Sequence, residues 1–326
     1  MDRREFVTRF GTVAVAWPLT ALAQQPSQPV VGYLGLTSPK GEAEMSGSFR
    51  KGLREAGFEE GRNVTVEFLF ADGDVSRLPA LAAEFVRRNV SIIVTGTTAG
   101  AVAAKRTTST VPVVFVIGSD PIKNGLVAQL NRPGGNLTGV SFFTNQMESK
   151  RLGLLHELAP KVELIGVLLN PNNPFFDNQL KDLNDASRAL GVKIQVERAS
   201  KEDDIANAFK AFAQQHAGAV LVGADPYFFS RRSLLIDPAV QLRIPAIYEW
   251  REFTEEGGLM SYGTNLKDSF RQSGGFVARI LKGESPSDLP VVQSTKFEFV
   301  INLKTARRLD IAVPPGLSAR ADDILE

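Results

Sequence analysis

The stretch GSDPIKNGLVAQLNRPGGNLTG, Gly118 to Gly139, ends one apolar run and opens another. Ser119-Asp120-Pro121 closes VPVVFVI (111–117), and Gly134-Gly135 turns the chain toward NLTGVSFF (136–143). Asp-Pro followed by Gly-Gly has two readings. The first is a helix start and a turn that serve the chain alone. The second is the mouth of a cleft and the approach to a hinge. The order of elements on either side decides between them.

Upstream, short β-branched runs alternate with amphipathic stretches. VVGYLGL (30–36) reads as a buried strand, and GSFRKGLREAGF (47–58) carries Phe49, Leu53 and Ala56 at helical spacing. NVTVEFLFA, SIIVTG and VPVVFVIG continue as strands, with helices SRLPALAAEFVRRN and TAGAVAAKRTT between them. Downstream the alternation begins again, with strands LIGVLLN, KIQVERA, GAVLVGA and PAIYEW separated by helical stretches. GLMSYG, a long helix to Gly283, the link ESPSDLP and KFEFVINLKTARRL complete the chain. Strands that read as continuous apolar runs are covered on both faces, so the fold class is α/β, with two doubly wound parallel-sheet lobes.

Open parallel sheets bind ligands outside the carboxyl ends of their strands. In the first half those ends are Thr37-Ser38, Gly96-Thr97-Thr98 and Ser119-Asp120. Thr97 and Thr98 precede a helix, where hydroxyls cap exposed N–H groups and the same N–H groups can hold a carboxylate. In the second half the ends are Asn170 to Phe176, Ala224 to Phe229, Tyr248-Glu249-Trp250 and Ser261-Tyr262. Asp225 directly follows a buried strand and reads either as the cap of the next turn or as an acceptor for a ligand's ammonium or amide. Phe175, Tyr227, Trp250 and Tyr262 stand in or beside these turns. They read as core or as the aromatic wall of a cleft, the latter suiting a ligand with an apolar or planar body.

Among 326 residues, 43% are hydrophobic and 22% charged, an ordinary globular balance. The segment MDRREFVTRFGTVAVAWPLTALA (1–23) has a basic start, an apolar middle and small residues at its end, which predicts an export signal cleaved after Ala23. It holds three arginines and two acids. Its removal from 37 basic and 36 acidic side chains leaves 34 of each, and nothing in that balance points to nucleic acid. Zero cysteines exclude disulfides, thiolate metal sites and a cysteine nucleophile. Neither G-x-S-x-G, a phosphate-cradling loop nor a dinucleotide fingerprint is present, so no catalytic residue, metal or cofactor is expected. The two histidines, His156 and His216, lie in helical segments.

SDPIKNGLVAQLNRPGGNLTGVSF, with GLREAGFEEGRNVTVEF, RIPAIYEWREFTEEGGLMSYG, ARILKGESPSDLPV and FEFVINLKTARRL in the same order, resembles the solute-binding proteins of ABC transporters in the TrpX-type family. That resemblance implies a type I periplasmic binding protein fold whose lobes are joined by three crossovers, here near Phe142–Thr144, Tyr262–Thr264 and Leu289–Val291. The lobes are then residues 30–142 with 264–289 and residues 143–263 with 290–326. It implies a monomer in the periplasm that captures a small amino-acid-like or aromatic carboxylate ligand and delivers it to a membrane permease. Thr97 and Thr98 match positions that hold a carboxylate, and Asp225 a position that meets an ammonium. Thr37, Ser38, Ser119, Asp120, Asn170, Phe175, Tyr227, Trp250 and Tyr262 complete the expected site. DPYFF departs from the DN of amino-acid binders at this point. A sensory receptor and a periplasmic hydrolase on the same scaffold are the alternatives.

Overall fold

The computed structural model describes residues 28–142, 147–294 and 297–326, so the expected signal segment lies outside the described residues, as do Phe143 and Thr144 of the first expected crossover. The first half runs β1 (Val30–Gly35), α1 (Ala43–Glu55), β2 (Thr65–Phe70), α2 (Leu78–Arg87), β3 (Ile92–Thr95), α3 (Thr98–Thr107), β4 (Val113–Ile117) and β5 (Leu137–Ser141). The second runs α4 (Glu148–Leu158), β6 (Leu164–Leu169), α5 (Phe176–Leu190), β7 (Lys193–Arg198), α6 (Glu202–Gln214), β8 (Ala219–Val222), α7 (Pro226–Phe229), α8 (Arg232–Gln241), β9 (Ala246–Tyr248), α9 (Arg251–Glu255) and β10 (Met260–Thr264). The chain closes with α10 (Leu266–Leu281), β11 (Val292–Gln293), β12 (Phe297–Asn302), α11 (Leu303–Arg308), α12 (Pro315–Ser318) and β13 (Asp323–Leu325).

Two sheets result. The first has the order β2-β1-β3-β4-β5-β11, with every pair parallel. The second has the order β7-β6-β8-β9-β10-β12-β13, parallel except for the antiparallel β10–β12 pair. Each therefore places its second strand outside its first and continues on the other side. The reversal falls between β1 and β3 in one sheet and between β6 and β8 in the other.

The same packing device recurs in both sheets. Phe85 of α2 lies against Gly32 of β1, where an added Cβ would come within 2.7 Å of the ring, and Phe212 of α6 lies against Gly166 of β6 at the same 2.7 Å. A glycine in the first strand admits a phenyl ring from the helix that follows the second strand, which brings helix and sheet together over a buried core. No residue-level repeat announced this likeness.

The passages between the sheets lie side by side, with Thr264 Oγ1 donating to Phe142 O at 3.4 Å and Ser294 N to Ser141 O at 2.9 Å. The third leaves later than expected. Residues 290–293, expected in the second lobe, stay with the first sheet, because Val291 N bonds Leu130 O and Val292–Gln293 pairs with β5. Just past β10, α10 packs on α1 so closely that a Cβ on Gly52 would stand 1.8 Å from Arg271 O, and one on Gly274 2.5 Å from Leu53 N. That contact fixes α10 to the first lobe. Among the described residues no helix is long and apolar enough to cross a membrane.

Candidate functional site

At each reversal of strand order the connections leave to opposite faces, which opens a crevice beyond the strand ends. The two crevices face each other across a cleft of about 370 Å³. Leu36 and Thr37 after β1, Gly73 to Ser76 after β2, Gly96 to Ala99 after β3 and Gly118 after β4 form one wall. Opposite stand Asn170 and Asn172 to Phe175 after β6, Ser200 after β7, Ala224 to Tyr227 after β8, and Glu249 and Trp250 after β9. Phe142, Leu266 and Phe270 line it from the passages and from α10.

On the first wall, Thr97 caps α3 by accepting from Gly100 N at 3.1 Å, and Ala101 N bonds Thr97 O. A helix start leaves its first N–H groups without intrahelical partners, and Thr98 and Ala99 carry such groups at the cleft wall. Beside them Glu42 is almost fully buried and accepts from Tyr33 Oη at 2.9 Å, Leu36 N at 2.9 Å and Thr37 N at 3.2 Å. Burial pushes its carboxyl above the usual range, and these donors oppose the shift.

On the second wall Asp225 caps α7. Its Oδ1 accepts from Tyr227 N at 2.8 Å, Phe228 N at 3.4 Å and Asn170 Nδ2 at 3.0 Å, while Oδ2 accepts from Asn173 Nδ2 at 2.8 Å. Burial raises its pKa and the four donors pull it back. Behind it stands a buried ion pair. Arg151 and Glu148 of α4 are both fully buried, with Nη2 to Oε1 at 2.7 Å. Glu148 Oε1 also accepts from Ala224 N at 3.2 Å and Gln179 Nε2 at 3.0 Å, and Gln179 Nε2 reaches Ala224 O at 3.0 Å. Arg151 Nη1 donates to Tyr262 O at 3.1 Å. Ala224, just past β8, is thus held at its amide by a charge pair that shows nothing to solvent and at its carbonyl by Gln179.

The aromatic side of the cleft is layered. Trp250 meets Phe229 edge-on, with centroids 5.0 Å apart, and both line the cleft. Arg231 lies over the Tyr227 ring at 3.9 Å and Arg232 over Phe229 at 4.4 Å, each cation on an aromatic face. Phe228 and Tyr248 are core, the latter stacked on Phe253 at 4.7 Å.

Of the twelve residues expected at the site, Thr37, Thr97, Thr98, Asn170, Phe175, Asp225, Tyr227 and Trp250 line the cleft, and four do not. Ser38 turns back to accept from Gly41 N. Ser119 sits one layer behind, its Oγ 2.8 Å from Thr98 Oγ1 and 3.1 Å from Asn124 Nδ2. Asp120 caps its own turn through Ile122 N and Lys123 N, so Ser119-Asp120-Pro121 is structural and only Gly118 reaches the wall. Tyr262 lies two residues before the end of β10 and packs against Phe297 and Phe299. Phe229, at the strand end Ala224 to Phe229, also lines the cleft; Glu42, Asp74, Val75 and Phe270 were not anticipated.

A family model described as ABC transporter substrate binding protein matches residues 35–325. A tyrosine-binding protein of Clostridioides difficile is 26% identical over 263 residues, spanning 81% of this chain and 75% of that protein. The solved structure of an ABC domain in complex with L-Trp from Streptococcus pneumonia superposes with a TM-score of 0.80 at 25% identity, covering 92% of this chain and all of that one. A conserved domain protein from Vibrio cholerae gives the same TM-score at 28% identity, covering 91% of this chain and 99% of its own. The architecture is that of the type I periplasmic binding proteins. Because the matched region takes in nearly the whole of both sheets and all the strand ends that face the cleft, the chain belongs to the family of ABC transporter substrate binding proteins.

Proposed function

We propose that this protein is an exported, monomeric receptor whose two lobes capture a zwitterionic amino acid with an apolar or aromatic side chain and hand it to a membrane permease. The lobes are the two sheets with their helices, α10 and residues 290–294 counting with the first. The observation that carries the ligand class is the charge of the cleft. Four carboxyl groups line it, on Glu42, Asp74, Asp225 and Glu249, and among the described residues no lysine, arginine or histidine does. A ligand that is only anionic meets like charges there in a medium of reduced dielectric, whereas a zwitterion brings an ammonium to pair with them. Thr98 and Ala99 N–H groups at the start of α3 hold the carboxylate. Asp225 receives the ammonium on Oδ2, which has one donor where Oδ1 has three. Phe175, Tyr227, Phe229 and Trp250 enclose the side chain. Two relatives support this reading, one being a tyrosine-binding protein and the other a complex with L-Trp. Binding without catalysis is in keeping with relatives described as binding proteins, and no nucleic-acid partner is proposed.

The test is a set of thermal melts with L-tyrosine, L-tryptophan and L-phenylalanine, each beside its amine-only and carboxylate-only analogue. A ligand at a hundred times its Kd adds about 2.7 kcal/mol, so an amino acid is expected to raise the melting temperature clearly and its carboxylate-only analogue least. Equal or greater stabilisation by the carboxylate-only compounds overturns the charge reading. In calorimetry with the stabilising amino acid, Asp225→Ala is expected to weaken binding about tenfold or more. Without ligand, the same change costs roughly 1–2 kcal/mol of stability through loss of the cap. A stability loss with unchanged affinity leaves Asp225 as a cap only. Export is checked separately: mass spectrometry of the periplasmic protein is expected to find Gln24 as its first residue, and an intact Met1 there refutes processing.

A further inference from the structure

Trp250 and Glu42 bring to the cleft hydrogen-bonding capacity that the protein itself does not use. Trp250 lines the cleft and is only 6% exposed, and its indole Nε1 is buried with no hydrogen-bond partner among the described residues. A buried indole N–H ordinarily finds an acceptor, because an unpaired one has lost its hydration without return. On the other lobe Glu42 is unevenly loaded. Its Oε1 accepts from Leu36 N at 2.9 Å, Thr37 N at 3.2 Å and Thr37 Oγ1 at 3.4 Å, whereas Oε2 accepts from Tyr33 Oη alone, at 2.9 Å. A carboxylate offers about four lone-pair sites over its two oxygens, so Oε2 can take a further donor. The fold brings the two residues to one end of the cleft. Trp250 meets Phe229 edge-on at 5.0 Å, Ser230 follows Phe229, and a Cβ on Gly41, the neighbour of Glu42, would fall 3.0 Å from Ser230 Cβ. Met45, about one turn on from Glu42, and Phe270 of α10 also line the cleft and are apolar.

We propose that Glu42 and Trp250 form a subsite for a hydroxyl group at the tip of the ligand's side chain, which donates to Glu42 Oε2 and accepts from Trp250 Nε1. The inference rests on the reading that the aromatic walls enclose that side chain, and it makes the side chain polar at its end. A wholly apolar tip would leave the indole N–H unpaired and set hydrocarbon against a buried carboxylate. A tip that only donates serves Glu42 and leaves Trp250 without an acceptor. A tip that only accepts, such as an ether, serves Trp250 and turns a lone pair toward the carboxylate. A hydroxyl does both through a single atom. A site that hydrogen-bonds a hydroxyl rejects the analogue lacking it far more strongly than an apolar pocket distinguishes one methylene, because the site's own groups are then left unpaired. Glu42 and Trp250 therefore set specificity at the tip, apart from Asp225 and the start of α3, to which the reading above gives the head group common to all amino acids.

Calorimetric titration with L-tyrosine and L-phenylalanine, which differ by one hydroxyl, reads the subsite as a ratio of dissociation constants. Wild type is expected to favour tyrosine about tenfold to a hundredfold. 4-Methoxyphenylalanine, which accepts but cannot donate at its tip, should bind no better than phenylalanine. Trp250→Phe keeps an aromatic ring without the N–H, and Glu42→Gln keeps the shape without the charge. Each should lower the tyrosine preference about threefold or more, chiefly through weaker tyrosine binding. Damage to the fold or to the wall weakens both amino acids alike and leaves the ratio standing, so a ratio that either variant leaves unchanged overturns the paired subsite. The same comparison is made with tyramine against phenethylamine and with 4-hydroxyphenylacetate against phenylacetate, none of them a zwitterion. A hydroxyl preference in every pair without tighter binding of the amino acids refutes the zwitterion reading and upholds the subsite. No hydroxyl preference in any pair overturns the subsite, and the zwitterion reading then stands or falls on the amino acids alone.

Discussion

Arg151→Met is expected to remove about 3–5 kcal/mol of stability, the largest loss of any single substitution argued here, because it leaves the fully buried Glu148 carboxylate without its countercharge. The attraction between the two is strong only because both are dry. That dryness makes either one costly alone, since a buried carboxylate with no cation beside it has lost its hydration without return. Glu148 would keep two donors, Ala224 N and Gln179 Nε2, but neither carries a charge. Urea denaturation measures the loss. The decisive companion is Glu148→Gln with Arg151→Met, in which a neutral amide faces a neutral thioether and most of the stability should return. If the double variant is as weak as Arg151→Met, volume and packing account for the effect and the ion pair does not. The site should register the change too. Glu148 and Gln179 hold Ala224 from both sides, and Asp225 follows directly, so loosening α4 displaces the cap of α7 and with it the Tyr227 and Phe229 wall. A drop in affinity for the stabilising amino acid should accompany the loss of stability.

How much of this was legible in the sequence differs by level. The alternating order and the parallel sheets were, because strands such as VPVVFVI are apolar at every position and only a sheet covered on both faces requires that. The cleft walls were half legible, since the residue that ends an apolar run is by construction near the carboxyl end of a strand. Thr37, Thr97, Asn170, Asp225 and Trp250 came from that rule. It failed where the end was misjudged or the side chain was claimed locally. Tyr262 was taken as an end, yet β10 runs on to Thr264, and strand alternation turns the ring toward β12. Ser38 stands one residue too far along and Asp120 two, and both close their own turns. Glu42 was missed because it precedes an ordinary amphipathic helix, and only the fold brings Tyr33, Leu36 and Thr37 around it. Phe270 was missed for a similar reason: α10 follows the second sheet in sequence and packs on the first lobe in space. The Arg151–Glu148 pair was invisible, as an acid and a base three apart on a helix usually mark a solvated face.

Glu252 is expected to make the protein less stable as pH rises from about 4 to about 7. It is 1% exposed on α9, with its carboxylate 3.8 Å from Lys267 Nζ, and burial pushes its pKa up to about 7. Lys267 from α10 favours the charged form, while Glu44 from α1 and Glu255 on its own helix oppose it. Because the folded pKa lies above that of an unfolded glutamate, near 4.3, the folded state binds a proton that the unfolded chain has already released between those values. The contribution is therefore full below about pH 4, declines up to about pH 7, and stays lost above it. A separation of this size corresponds to about 4 kcal/mol. Glu252→Gln keeps the shape without the charge, so it should match wild type near pH 4 and exceed it by up to about 4 kcal/mol at pH 8, as read from urea midpoints across that range. A difference that does not change with pH would mean that Lys267 holds Glu252 ionised throughout.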